Sequence, residues 1–228
     1  MLNSNGPAAE QITQIRETLL MMASLADRNL ALAMRALVER DEKLAAAVEA
    51  EDSQLDQLEI TVDDMVINHM ATHAPVATDC RFMLVASKIS SNLERIGDSA
   101  VSIVRRSLEL NREPLLKPLI DIPRMAQIAE GMLRDSITAL IDRKPELAQE
   151  IVRRDKEVDA INKQLARELT SFMLENPTTI TRAMNLTLVA RALERVADHA
   201  KNIAEEVYYL YHAVDIRHER TSNPASAS

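Results

Sequence analysis

The chain has 228 residues, with 27 Lys+Arg against 35 Asp+Glu, a net charge of −8 and 46% hydrophobic residues. That is enough apolar material for a packed core, yet only three glycines are present, far below the usual ~7%. So few glycines argue against tight sheet turns, and no GxGxxG or GxxxxGK[ST] occurs, which sets aside Rossmann and P-loop enzymes and leaves an all-α protein.

Six long helices are predicted in chain order. The first covers about 10–38, behind a flexible N-terminus at 1–9, and the second covers about 42–73. The third starts after Pro75 and runs to about 110. A linker at 111–122 follows, where Pro114 and Pro118, with Pro123 just beyond, forbid a continuous helix. The fourth helix covers about 123–141. Pro145 suits the first turn of a fifth, ending near 174, and Pro177 opens a sixth, ending near 214. The tail, 215–228, is expected to be disordered. Apolar stripes at steps of three and four mark the third helix (Phe82, Ala86, Ile89, Leu93, Ile96, Ala100, Ile103) and the sixth (Leu186, Val189, Leu193, Val196, Ala200, Ile203, Val207, Leu210). Such seams suit near-parallel bundle packing and are assigned to the core.

The halves repeat. A shift of 103 lays 36–56 on 139–159 with seven identities, among them Arg40/Arg143, Asp52/Asp155 and Asp56/Asp159. A shift of 100 lays LERIGDSAVSI (93–103) on LERVADHAKNI (193–203). The fold expected is therefore two tandem three-helix bundles, 10–110 and 123–214, related by an internal repeat.

Composition also bounds the partners. An isoelectric point near 5.2 disfavours nucleic acid, whose binding rests on Lys and Arg. The single Cys80 excludes an intramolecular disulfide and suits a reducing cytoplasm. No signal peptide is legible, and no apolar run approaches the ~18–20 residues of a membrane span.

Four acidic pairs stand four residues apart: Asp52/Asp56, Glu94/Asp98, Asp155/Asp159 and Glu194/Asp198. Like charges at that spacing destabilise an isolated helix by ~0.2–0.5 kcal/mol. Their placement at matched positions in both halves points to joint use as oxygen ligands for cations such as Mg²⁺, Ca²⁺, Mn²⁺, iron or Zn²⁺. One such pair alone is ordinarily a solvated face, and Arg95 and Arg195 could simply pair with neighbouring acids. At ~100° per residue the acids lie far from the apolar stripes or flank them, so an open, exposed site is expected. A buried di-iron site fails, because no His is preceded by Glu at the Glu-x-x-His spacing. His199 points ~100° away from Asp198 and suits an inter-helix hydrogen bond. No nucleophile–base grouping recurs, so no enzyme activity is expected.

At LERIGD and LERVADHAKNIAEE, with PVATDCR (75–81) opening the third helix, the sequence resembles the PhoU family over about 10–213. The resemblance implies iron or zinc clusters held on the bundle surface by the same eight carboxylates, Mg and Mn remaining open. It also implies a non-enzymatic cytoplasmic regulator that damps the phosphate-starvation response. Such a protein links a phosphate ABC transporter to a two-component sensor histidine kinase, and a homodimer is expected. Ser99 and Ser102 stand where the second half has His199 and Asn202, which leaves the first metal site weaker or differently filled. The alternative is a metal-storing or metal-buffering bundle with no signalling role.

Overall fold

The computed structural model describes residues 6–73 and 75–216. The expectations of a flexible start over 1–5 and a disordered tail over 217–228 lie outside the described residues. The described chain is all helix and turn: α1 Pro7–Glu39, α2 Glu42–His73, α3 Ala77–Leu110, α4 Asp121–Asp142, α5 Leu147–Glu175 and α6 Ile180–His212, with a single 3₁₀ turn at Pro177–Thr179.

Several boundaries differ from expectation; Pro177 opens a short 3₁₀ turn rather than the sixth helix, which runs from Ile180 to His212. The first helix begins at Pro7, because proline's fixed φ and missing N–H suit the first turn, where the N–H has no partner. Pro123 sits inside the first turn of α4 for the same reason. Pro145 does not open α5; it lies in the turn before it, and its carbonyl accepts from Ala148 N at 3.1 Å. At the other end, Ile216 packs against the core although it falls in the stretch expected to be disordered.

Helices α1, α2 and α3 pack on one another, as do α4, α5 and α6, giving the two three-helix bundles. The bundles join mainly along α3 and α6, and secondarily through α1 and α4. Helices α3 and α6 run antiparallel: Arg81 reaches the Leu210 carbonyl at 3.3 Å, Lys88 meets Glu206 at 3.1 Å, and Asn92 meets His199 at 2.9 Å. Each has neighbours on three sides and carries apolar or small residues around much of its girth. Ser90, Gly97, Ser99 and Ser107 of α3 are buried, as are Ala183, Ala190, Ala197 and Ala204 of α6. All the stripe residues read from the sequence are in the core.

Repeat-related positions solve the same local problems. Arg40 and Arg143 end α1 and α4 in the left-handed conformation, at φ 58° and 55°, with their N–H groups on the carbonyls of Ala36 and Ala139. Glycine is the usual residue there, since a Cβ costs about 1 kcal/mol in that region. Arg40 offsets the cost: its Nη2 lies 3.2, 2.7 and 2.7 Å from the carbonyls of Leu110, Asn111 and Glu113, pinning the linker to the first bundle. Arg182 holds the linker from the second bundle, through the Pro114 carbonyl at 3.1 Å and Glu113 at 3.1 Å. A Cβ on Gly97 would collide with Leu55 Cδ1, so glycine is what lets α2 and α3 close over that leucine. The equivalent positions in the second bundle are Val158 and Ala197, a shorter side chain opposite a larger one.

Two stability measurements follow, read by chemical denaturation. Arg143→Gly should gain about 0.5–1 kcal/mol, whereas Arg40→Gly should lose stability despite the same backbone relief. Gly97→Ala should cost about 1 kcal/mol, crowding outweighing improved helix propensity, and Leu55→Val in the same chain should recover most of it.

Candidate metal-binding surface

Helices α2 and α3 form an antiparallel pair that brings the first four acids into one neighbourhood. Burial pushes the Asp52 carboxyl above its usual range, and Asp56 and Asp98 push the same way while Arg105 opposes them. Glu94 is more perturbed: burial, then Asp98, with Glu59 and Asp56 behind it, push its carboxyl up to about 7 against the pull of Arg95. Glu94 Oε2 is buried and accepts no hydrogen bond. Arg95 Nε lies 3.3 Å from that oxygen, and Arg95 Nη1 donates to Asp98 Oδ2 at 3.0 Å. Arg95 is 59% exposed and contacts acids of its own helix, so it bridges nothing to α2. Asp52 and Asp56 have no ion-pair partner among the described residues.

The second four acids gather between α5 and α6 in the same way. Glu194 is pushed above its usual range by burial, then by Asp198, Asp159 and Asp155, against Arg191. Here, however, a cation is built in. Lys201 Nζ donates to Asp155 Oδ2 at 2.7 Å and to Asp198 Oδ1 at 2.6 Å, joining the two helices. Burial still raises Asp155 above its usual range, with the Lys201 hydrogen bond and charge opposing.

The expectation that these acids are all open to solvent is corrected at two of them. Asp155 is only 8% exposed, and the Glu94 side chain 12%. An acid flanking the apolar stripe looks solvent-facing on an isolated helix, but a neighbouring helix covers that flank once the bundle closes. Asp56 and Asp98 do remain exposed, and Asp52, Asp159, Glu194 and Asp198 are half-buried. Among the described residues, no three His, Cys, Asp or Glu side chains stand in an arrangement that could hold a metal ion as they are.

The oxygen donor set of the first bundle nonetheless fits a hard or borderline cation. Burial and then neighbouring acids push Asp52 and Glu94 above their usual range, and the buried oxygen of Glu94 accepts no hydrogen bond. The second set fits less well, because an ammonium already stands between its helices. His199 and Asn202 are not part of either set. Both turn to α3, where His199 Nδ1 and Asn202 Nδ2 meet Asn92 Oδ1 at 2.9 and 3.4 Å. Since Asn92 Nδ2 donates to the Lys88 carbonyl, its Oδ1 is the acceptor, and His199 carries its proton on Nδ1. Ser99 donates to the Arg95 carbonyl at 2.9 Å. Sequence reasoning missed Lys201, although its place three residues after Asp198 on the same helix is the spacing at which ion pairs form.

The comparisons with known proteins agree with the doubled architecture. The model of the PhoU domain family matches twice, over residues 19–107 and 122–207. A phosphate-specific transport system accessory protein PhoU homolog of Pseudomonas putida is 34% identical over 209 residues, covering 91% of this chain and 82% of its own length. The protein of the same description from Aquifex aeolicus is 37% identical over 210 residues, covering 92% and 95%. The crystal structure of PhoU from Pseudomonas aeruginosa aligns with a TM-score of 0.87 at 32% identity, over 90% of this chain and 99% of that one. The fold is shared as well with a phosphate transport system regulatory protein PhoU from Streptococcus pneumoniae, at a TM-score of 0.85 and 22% identity, over 92% and 99%.

Glu94 makes the stability of the metal-free protein depend on pH. The fold holds its proton up to about 7, whereas an ordinary glutamate releases it near 4.5. This contribution is therefore complete below the lower value and is lost as pH rises through the upper one. Between about pH 5 and about pH 8, in the presence of EDTA, the parent should lose on the order of 2 kcal/mol more stability than Glu94→Gln. Equal slopes for the two proteins would show Glu94 ionised throughout.

Proposed function

This chain belongs to the PhoU family, and on that premise we propose that it is an accessory regulator of phosphate uptake that damps the phosphate-starvation response. The observation that carries the reading is the double match to the PhoU domain, with relatives named as accessory proteins of a phosphate-specific transport system. In this reading the protein works in the cytoplasm, without covalent chemistry, as an adaptor between a phosphate ABC transporter and a two-component sensor histidine kinase. A homodimer is its working form.

The architecture supports an adaptor in physical terms. Two similar bundles held by one antiparallel seam offer two similar outer surfaces, so one chain can engage two partners. Leu84 of α3 and Met184 of α6 are repeat-related and each 50% exposed, and Ile67 on α2 and Leu174 on α5 lie exposed as well. Matched apolar residues of this kind are suited to contact with other proteins. No described helix is long and apolar enough to cross a membrane, so membrane association would come through the partners.

The surface carboxylates are read as metal ligands in the same proposal. In the first bundle Asp52, Asp56, Glu94 and Asp98 would hold iron or zinc, with Mg²⁺ or Mn²⁺ as alternatives. A bound cation would supply charge neutralisation between α2 and α3, fixing their spacing and the shape of the outer surface.

Deletion of the gene tests the regulatory role. Alkaline phosphatase should stay on in phosphate-rich medium and return to repression when the gene is supplied in trans. Normal repression in the deletion strain, with altered iron or zinc tolerance, would instead establish a metal buffer.

A further inference from the structure

We infer that Lys201 is a built-in cation that keeps the second carboxylate cluster, Asp155, Asp159, Glu194 and Asp198, from taking a metal ion, so that metal binding in this chain is confined to the first bundle. The inference rests on the metal reading above for the first bundle only; what it says of Lys201 stands without it.

The geometry is specific to the second bundle. The Lys201 ammonium has three N–H donors, and two of them are used at 2.7 and 2.6 Å by carboxylates from different helices. It therefore occupies the point between α5 and α6 from which a metal ion would draw ligands on both. The lysine side chain is 21% exposed and that of Asp155 11%, so water competes poorly for the pair. Burial works against the Lys201 charge, and the hydrogen bonds to Asp155 and Asp198 more than offset it, leaving the ammonium above its ordinary range. A metal ion entering here would have to displace an ammonium that is bonded to both helices and tethered to the same helix as two of its ligands. Asp159 and Glu194 make no ion pair among the described residues. A cation drawn to them alone would stand about one helical turn, ~5–6 Å, from the fixed ammonium and be repelled by it.

The first bundle lacks this device. The position equivalent to Lys201, one hundred residues earlier, is Val101, a core residue only 4% exposed. No side chain of α3 or α2 places a cation between Asp52 or Asp56 and Glu94 or Asp98 among the described residues. The same duplicated acids are thus bridged across helices by one ammonium in the second half, whereas in the first Arg95 pairs only within α3 and Arg105, near Asp52, is paired with Glu49. This departs from the sequence reading, where Ser99 and Ser102 left the first site weaker or differently filled. Those two positions belong to the α3–α6 side, where their counterparts His199 and Asn202 bind Asn92.

The test is Mn²⁺ binding to metal-stripped full-length protein, counted by electron paramagnetic resonance of the free ion, with helical content and melting checked for each variant. Glu94→Gln with Asp98→Asn should remove most of the parent's binding, and Glu194→Gln with Asp198→Asn should leave it unchanged. Lys201→Met should add binding that is lost again when Glu194→Gln and Asp198→Asn are introduced into it; Lys201→Arg, which keeps the charge, should add none. If Lys201→Met does not fold, Lys201→Thr serves as the shorter neutral replacement. A fall in the parent's binding on changing Glu194 and Asp198, or no gain on neutralising Lys201, overturns the inference. A parent that binds no Mn²⁺, together with a gain in Lys201→Met, refutes the metal reading of the first bundle while upholding the role of Lys201.

Discussion

The antiparallel packing of α3 against α6 is the constraint on which the rest of the structure depends. Each of these helices is the shared wall of its own bundle and of the junction between bundles, so its sequence must satisfy three neighbours at once. That requirement explains why serine, glycine and alanine are interspersed with Leu, Ile and Val along both. Small residues let backbones approach, and the apolar ones fill the layers between. The seam is not purely apolar. Glu206 is 4% exposed and is matched by Lys88 from the opposite helix, while Asn92 gathers His199 and Asn202. A buried carboxylate tolerates no shift of register that would take its ammonium away, and removing one partner of such a pair costs several kcal/mol. The polar pairs therefore fix how far one half slides along the other, while the apolar stripes supply most of the favourable burial.

Duplication places the same acids on both bundles, but the electrostatic solution differs. Carboxylates held close together and partly out of water repel one another, and a nearby positive charge relieves them. In the second bundle that is the tethered ammonium of Lys201. In the first, Arg95 covers only the α3 side, and Glu94 is held partway to its neutral form. Similar folds carrying near-identical motifs can thus place their acids in different charge environments, because one side chain a helical turn away sets the local charge.

The same lesson appears in the packing. The left-handed Arg40 and Arg143 show that the repeat extends to the conformation of single residues, yet only Arg40 is tied into the linker. Gly97 with Leu55 and Ala197 with Val158 divide a similar volume differently between facing helices. Divergence after duplication has kept the summed volume and the backbone path, which packing density enforces. It has let individual side chains specialise.

The sequence by itself determined the six helices, the doubled three-helix plan, the core stripes and the register of the acidic pairs. Those features are written in local periodicity and in the recurrence of LERIGD and LERVAD, and a stripe such as Leu186 to Leu210 packs on an inward face in any bundle. It also favoured an inter-helix hydrogen bond for His199 over a place beside Asp198, since adjacent residues on a helix diverge, and the contact with Asn92 agrees. What only the tertiary structure decided is which acids lie under a neighbouring helix and which cation reaches them. Asp155 was expected in an open site and is buried beside α6; Lys201, to which the sequence assigned no role, bridges α5 and α6. Burial and charge pairing are properties of distances between elements, and those distances exist only once α2 has packed on α3 and α5 on α6.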